Sequence, residues 1–378
     1  MATAKYKRNK RGQFEARIWD GTYTEAGLKH RVSIYSRKSS ADLERKVNEF
    51  ISKRDNLSNV ISSDLSFYEY SLKWLQVAKA AREVNTREMY EEIIKSKFVG
   101  LDSVKIGDIQ HSHFQMIINE NIEHPRRCEQ IALTFKQVIK SAVRDKILPK
   151  SALDDVLDDI SMPKYIKAVK RPLTPLEKDA VKKVEMEPMK MVFVYVLYYL
   201  GLRRGEALAL TPASFNWDDN TVSIQNVIIF SKEGSQVKEY PKSNNGIRTI
   251  PLPDEAVEKI KPYVESLPAD EYLFHGSTSR IMTENSFRRM WESILTNLNK
   301  AVGYNPYKRD RGKKPIQGLT PHIFRHNYCT ELCYLVPQIS TKMIAKLLGD
   351  TEKMVLEVYS HIVEEKENTK EVIQNIKL

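Results

Sequence analysis

The sequence predicts a multidomain α+β chain: a small head of three strands and one helix, then a helical bundle, then a larger, mainly helical part carrying a β-hairpin sheet. Three observations predict it. At 378 residues the chain is too long for one average domain, so two or three are expected. Positive charge gathers at the front: residues 1–60 hold 14 Lys/Arg against 7 Asp/Glu, a net +7 of the chain's +11, and the other 318 residues are nearly balanced. The apolar period also changes, from alternation near the N-terminus to helical spacing beyond residue 65. The expected divisions are 1–58, 65–160 and 172–378, separated by an Asn/Ser-rich linker at Asp55–Asp64 and a basic one at Pro163–Pro172.

The head begins with a basic tract, Lys5 to Arg11, that breaks at Gly12. Gln13 to Trp19 alternates as a strand, with Phe14, Ala16 and Ile18 on one side; Asp20-Gly21 is a turn signal, and Lys29–Tyr35 reads as a second strand. Ser39 or Ser40 can cap a helix from Ala41 to about Lys53, whose apolar stripe is Leu43, Val47, Phe50 and Ile51. A three-stranded sheet backed by one helix and basic on its open face fits a DNA major groove. Lys7, Arg8, Lys10, Arg11, Arg17 and Arg31 are the candidate DNA-binding cations. The plainer alternative makes Arg17 and Arg31 the polar side of a half-exposed sheet.

Residues 65–160 read as helices at Ser66–Ala80, Thr86–Lys97, His111–Ile122, Arg126–Asp145 and near Ser151–Asp158. Phe67, Tyr70, Trp74 and Val77 have the spacing of an amphipathic helix, which makes Trp74 a core residue rather than a base-stacking one. The linker that follows carries Lys164, Lys167, Lys170 and Arg171 without an acid, a composition suited to a strap across phosphates.

In the third part Thr174, Pro175 and Glu177 spell a capped helix start. Met189–Leu200 is a buried helix ending at Gly201, with Arg203 and Glu206 just beyond. Thr221–Phe230 reads as one strand, Ser231–Gly234 as a turn, Ser235–Pro241 as the return, and Arg248–Leu252 as a further strand, leaving Lys242 at a hairpin end. Helices follow at Asp254–Ser266 and Thr283–Asn299, then a basic loop at Tyr304–Lys314. Thr320-Pro321 opens a helix through about Leu335 that puts His322 and Arg325 on one face, suited to an anion. Another helix, Ser340–Leu348, stops at Gly349, a residue for a left-handed C-cap, and a short apolar stretch then carries Tyr359.

Several classes are disfavoured. There is no run of about 18 apolar residues to span a bilayer and no apolar centre of a secretion signal at the N-terminus. Cys128, Cys329 and Cys333 form no paired framework and no zinc-like spacing, so they read as core residues in a reducing cytoplasm.

Four motifs occur in order: Gly-Leu-Arg-x-x-Glu at Gly201–Glu206, the hairpin lysine Lys242 in Lys-Ser-x-x-Gly-x-Arg-Thr-Ile-Pro-Leu, His-x-x-Arg at His322–Arg325, and Tyr359. In this the chain resembles tyrosine recombinases of the phage and conjugative-transposon integrase type, strongly over the third part and in outline elsewhere. The resemblance implies an arm-type DNA-binding head, a core-binding helical domain and a catalytic domain. It implies Arg203 and Arg325 as phosphate clamps, Lys242 as general acid, His322 as a phosphate ligand and Tyr359 as the nucleophile. No cofactor or metal is expected. The implied partners are double-stranded DNA with core and arm-type sites, further copies of the chain in a tetrameric synapse, and an accessory DNA-bending or excision protein, in a bacterial cytoplasm. A DNA-binding regulator that keeps the fold without strand transfer is the rival reading. One departure is visible: the family usually has Leu-Gly-His before the tyrosine helix, whereas this chain has Leu348-Gly349-Asp350, with Asp350 expected to cap the next helix in preference to orienting His322 or Lys242.

Overall fold

Alternation at the N-terminus makes a hairpin. In the computed structural model, which describes residues 5–23, 28–57, 63–80, 82–166, 171–239, 246–276, 280–305 and 313–366, β1 (Phe14–Tyr23) and β2 (Lys29–Ser36) pair antiparallel, with Ala16 opposite Ile34 and Ile18 opposite Val32. Their apolar side packs on Leu43 and Val47 of α1 (Ser40–Leu57). Ser39 is the cap, its Oγ accepting from the Asp42 backbone N–H at 3.0 Å. The third strand expected in this sheet is reduced, among the described residues, to a single bridge between Arg8 and Phe14. The tract before Gly12 is fastened to α1 rather than to the sheet, with Tyr6 packed on the head's cluster and its backbone N–H donating to Ser40 Oγ at 3.1 Å.

The helical region follows its apolar stripes. Ser66 caps α2 (Phe67–Ala78) in a reciprocal box with Glu69. Then come α3 (Val84–Ile93), continued by a π-helical turn at Ile94–Phe98, α4 (His111–Asn119), α5 (Pro125–Arg144) and the short α6 (Ala152–Asp155). Phe67, Phe98, Phe114 and Phe135 fill the centre, with Phe114 stacked on Phe135 at 4.2 Å between ring centroids. Trp74 is buried edge-on to Tyr90. These residues and the head lie in one compact unit, Met1–Lys167, in which head and helices have separate hydrophobic clusters.

The second unit, Ala168–Leu378, is built around α8 (Pro188–Leu200), whose Val192, Phe193, Val194, Val196, Leu197 and Leu200 are all buried. α7 (Pro175–Lys183) precedes it, with the Thr174–Glu177 capping box in place. After α9 (Arg204–Leu208), β3 (Phe215–Asn216), β4 (Thr221–Ile224) and β7 (Arg248–Pro251) form one antiparallel sheet, while β5 (Asn226–Ser231) and β6 (Gly234–Glu239) form a separate hairpin. The single strand expected over Thr221–Phe230 is thus two. β7 begins opposite Ile224, so beyond that point the chain has lost its neighbour and takes β6 instead. The unit closes with α10 (Asp254–Glu265), α11 (Glu284–Ala301), α12 (Pro321–Tyr334), α13 (Thr341–Leu348) and α14 (Glu352–Lys366). Among the described residues no helix is long and apolar enough to cross a membrane.

Candidate active site

The site starts at the turn after α8. Gly201 takes a left-handed conformation, φ +59°, and a Cβ there would lie 2.4 Å from the Tyr328 ring. The absent side chain lets α12 pack directly on the turn. Leu202 plugs the core, and Arg203 becomes the N-cap of α9, its backbone N–H donating to Glu206 Oε2 at 2.9 Å and its Nη1 to Oε1 at 3.0 Å. Gly205 brings α9 equally close to β5, where a Cβ would meet the Ile228 carbonyl at 2.4 Å.

Two more arginines reach the same place. Arg325, from the second turn of α12, is buried; Nη1 donates to the Gly201 carbonyl at 3.0 Å, and Nη2 to the Leu348 carbonyl at 2.6 Å and Asp350 Oδ2 at 3.1 Å. Arg248, at the start of β7, is buried too; Nε donates to the Leu347 carbonyl at 2.7 Å and Nη2 to Glu206 Oε2 at 2.7 Å. Arg203 Nη2 donates to the Gly349 carbonyl at 3.0 Å and Asp350 Oδ2 at 3.3 Å. A helix C-terminus leaves its last carbonyls unpaired and slightly negative. At α13 three successive carbonyls, Leu347, Leu348 and Gly349, each take a different guanidinium. The arrangement ties the α8–α9 turn, β7, α12 and the end of α13 into one frame.

Three guanidiniums against the carboxylates of Glu206 and Asp350 leave a net positive charge. Burial, with the neighbouring charges of Arg203 and Arg248, pulls the Arg325 pKa below its ordinary value. For Asp350, burial works upward, but the hydrogen bond and charge of Arg325 and the charge of Arg203 outweigh it and hold the carboxyl below the usual range. Arg203 is the open side of the frame, its side chain 37% exposed against 4% for Arg325. An anion can reach it there.

The structure therefore brings Arg203 and Arg325 together. His322 is exposed one turn ahead of Arg325 on α12. Tyr359 lies half-buried on α14 against the cluster of Cys329, Cys333, Ile344 and Val355; among the described residues it makes no hydrogen bond to either arginine. Lys242, Lys167 and Lys170 lie outside the described residues. Asp350 is corrected: among the described residues Oδ1 accepts only from the adjacent Thr351 N–H at 3.1 Å and Oδ2 faces the two arginines, because their charge outcompetes a helix N-terminus for it. Arg171 also differs from a free strap cation, since both arms of its fork hold the buried Glu177, at 2.6 and 2.7 Å. Lys7, Arg8, Lys10, Arg11, Arg17, Arg31 and Lys164 are exposed, with Arg8 lying over the Phe14 ring at 5.2 Å.

Arg248 escaped the sequence reading. The signal was present: it stands two residues before Ile250 on an alternating strand, in phase with the buried face, where an arginine requires a buried acid. Glu206 is that acid. Among the described residues no three His, Cys, Asp or Glu side chains gather in a metal-binding arrangement.

Comparison with known proteins places these features in a family. The chain is 23% identical over 355 residues to the transposase from transposon Tn916 of Enterococcus faecalis, covering 89% of this chain and 82% of the relative. It is 24% identical over 383 residues to a XerC-like tyrosine recombinase of Caldanaerobacter subterraneus subsp. tengcongensis, covering 93% of each. Among solved structures, the Tn1549 transposon integrase in complex with a circular intermediate DNA superposes with a TM-score of 0.63 at 18% identity, over 80% of this chain and all of that one. The lambda integrase tetramer bound to a Holliday junction gives 0.50 at 15%, over 93% of each. The phage integrase family profile matches residues 177–366, about half of the sequence and the whole of the arginine frame; the chain belongs to the phage integrase family of tyrosine recombinases.

Proposed function

We propose that this tyrosine recombinase cuts and rejoins duplex DNA at the ends of a mobile element, with Tyr359 as nucleophile. The observation that carries the reading is the convergence of Arg203 and Arg325 on one anion position. In the proposed step the Tyr359 oxygen attacks the scissile phosphorus, the bond to the 5′ oxygen breaks, and a 3′-phosphotyrosyl ester and a free 5′-hydroxyl result. A phenol with a pKa near 10 is a weak nucleophile, so the reaction needs the phosphate polarised. Arg203 and Arg325 supply that, their N–H groups meeting charge that grows on the non-bridging oxygens. Lys242 gives the proton to the leaving 5′ oxygen, and His322 hydrogen-bonds the phosphate and helps take the proton of Tyr359. The ester keeps the energy of the broken bond, so rejoining requires no ATP.

The same reading assigns 1–58 as an arm-type DNA-binding domain, 65–160 as a core-binding domain and 172–378 as the catalytic domain. Arg17 and Arg31 support the first: opposite the apolar side, they lie exposed on the open face of the hairpin with Trp19 and Tyr35. Among the relatives named above, one is the transposase of a transposon, one a transposon integrase in complex with a circular intermediate DNA and one an integrase tetramer bound to a Holliday junction, which supports a multimeric synapse on DNA. The same reading puts the protein in a bacterial cytoplasm, with an accessory protein that bends DNA or directs excision as a further partner. A non-catalytic DNA-binding regulator is the alternative.

The test is a duplex carrying a nick near the crossover, from which the cleaved strand diffuses away. The wild-type chain should accumulate a covalent adduct resistant to denaturation, and Tyr359→Phe should form none. Absence of adduct from the wild type on its own element's end sequence would favour the regulator.

A further inference from the structure

Arg325 Nη2 carries two N–H groups: one is taken by the Leu348 carbonyl at 2.6 Å, the other by Asp350 Oδ2 at 3.1 Å. Arg203 Nη2 repeats the pattern, with the Gly349 carbonyl at 3.0 Å and the same Asp350 Oδ2 at 3.3 Å. With one N–H of each Nη2 on a backbone carbonyl, the second N–H of both Nη2 groups thus meets a single anionic oxygen. That is how a non-bridging phosphate oxygen would be held.

We propose that Asp350 occupies the phosphate position of the arginine pair and is the group that the scissile phosphate must displace, which makes it a further determinant of how tightly this site takes its substrate. The proposal rests on the recombinase reading for the identity of the anion.

The surroundings fit an occupant rather than a brace. Without Asp350, Arg325 keeps the Gly201 and Leu348 carbonyls, and Arg203 keeps Glu206 and the Gly349 carbonyl. The frame has its own fasteners. Asp350 is 29% exposed in its side chain, so a turn about its own side-chain bonds leads to solvent, while its backbone stays tied to Ala345 at 3.0 Å. A carboxylate beside a docked phosphodiester would set two like charges on the same two cations, at a substantial cost. Displacement relieves that repulsion. The arginines are accordingly kept paired and ordered until a stronger anion arrives.

The test compares the full-length wild type with Asp350→Asn, which keeps the shape and removes the charge, and Asp350→Ala. Calorimetric titration with inorganic tungstate, a tetrahedral oxyanion, reads the site without any turnover. Asp350→Asn should bind tungstate about tenfold more tightly than wild type, and Arg203→Gln placed in the Asp350→Asn protein should abolish the gain. With the nicked duplex, the half-saturating DNA concentration should fall by a similar factor. Tungstate bound no more tightly by Asp350→Asn and Asp350→Ala, in proteins with wild-type unfolding midpoints, would overturn the proposal. So would loss of folding in both variants, because the frame would then depend on the carboxylate. A slower saturated rate without tighter binding would make Asp350 a positioning residue instead and would also overturn it. Failure of the recombinase reading is distinguishable: wild type would give no adduct at all, whatever the tungstate titration shows.

Discussion

Arg248 and Glu206 meet as a buried ion pair, Nη2 to Oε2 at 2.7 Å, 42 residues apart in the chain. The glutamate also receives the backbone N–H and Nη1 of Arg203 and lies 3.9 Å from Arg325 Nη1. One carboxylate therefore neutralises the interior side of the frame and leaves the outer side for an anion from solution. Glu206 does not face the open side, which fits a charge-balancing role rather than proton transfer.

Glu206→Ala should strand Arg248 as an uncompensated buried charge. Breaking a buried pair from one side costs about 3–5 kcal/mol. Urea unfolding of residues in the second unit should show a loss of that size, and Glu206→Gln, which keeps the acceptor oxygen, a smaller one. Equal losses for both would mean that charge is not what Glu206 contributes.

Gly201→Ala tests the close approach of α12 to the α8 turn. The alanine meets the Tyr328 ring in space that is already filled and must hold a positive φ. Overpacking of roughly 1–3 kcal/mol, with about 1–2 kcal/mol of left-handed strain, is expected. Separation of α12 from the turn would also move Arg325 from the Gly201 carbonyl, so adduct formation should fall further than stability. A variant as active as wild type would show that the frame tolerates a shift.

Arg203→Lys and Arg325→Lys keep a charge but lose the planar fork that serves a carbonyl and an anion at once. Each should lower the rate of adduct formation by about 10²–10³-fold on the nicked duplex. A fall confined to DNA affinity would assign the arginines to binding alone.

The pH dependence follows from buried phenols. Burial pushes Tyr199, Tyr263 and Tyr328 up to about 12, and Tyr70 reaches about 12 with an additional hydrogen bond to Asp145. A folded pKa above the unfolded value of about 10 means stability that is complete below about pH 10 and lost as pH rises through 12. Thermal midpoints should hold to about pH 10 and then fall, and Tyr328→Phe should flatten that limb. At the other end, Glu177 is held below its ordinary value: burial opposes this, but the Arg171 fork and the α7 cap prevail. Its contribution is present above about pH 4.5 and lost as pH falls through the lowered value, so Glu177→Gln should weaken the acid limb.

Much of this was readable in the residues because local rules decide it. Thr174-Pro175 with Glu177, Ser66 with Glu69, and the glycine at 349 announce helix ends by hydrogen bonds made within a few residues. The order of Arg203, Lys242, His322, Arg325 and Tyr359 pointed to the family, and two of these residues, Arg203 and Arg325, meet on Asp350 in the fold. What escaped depends on partners remote in sequence. Asp350 reads as a good N-cap from its neighbours, yet two guanidiniums, 147 and 25 residues away, claim it. Arg171 reads as a free cation until its carboxylate is seen buried. The break of the expected Thr221–Phe230 strand at Gln225 follows from where β7 begins, which no property of residues 221–230 encodes.

Tyr359 is the residue proposed to carry the DNA. This is tested most directly by digesting the adduct from a nicked duplex with nuclease and trypsin and weighing the peptides. Cleavage after Lys353 and Lys366 releases Met354–Lys366, and this peptide should carry the nucleotide remnant as a phosphodiester on Tyr359. A remnant on any other residue, or a wild-type protein that never retains one, would contradict the account.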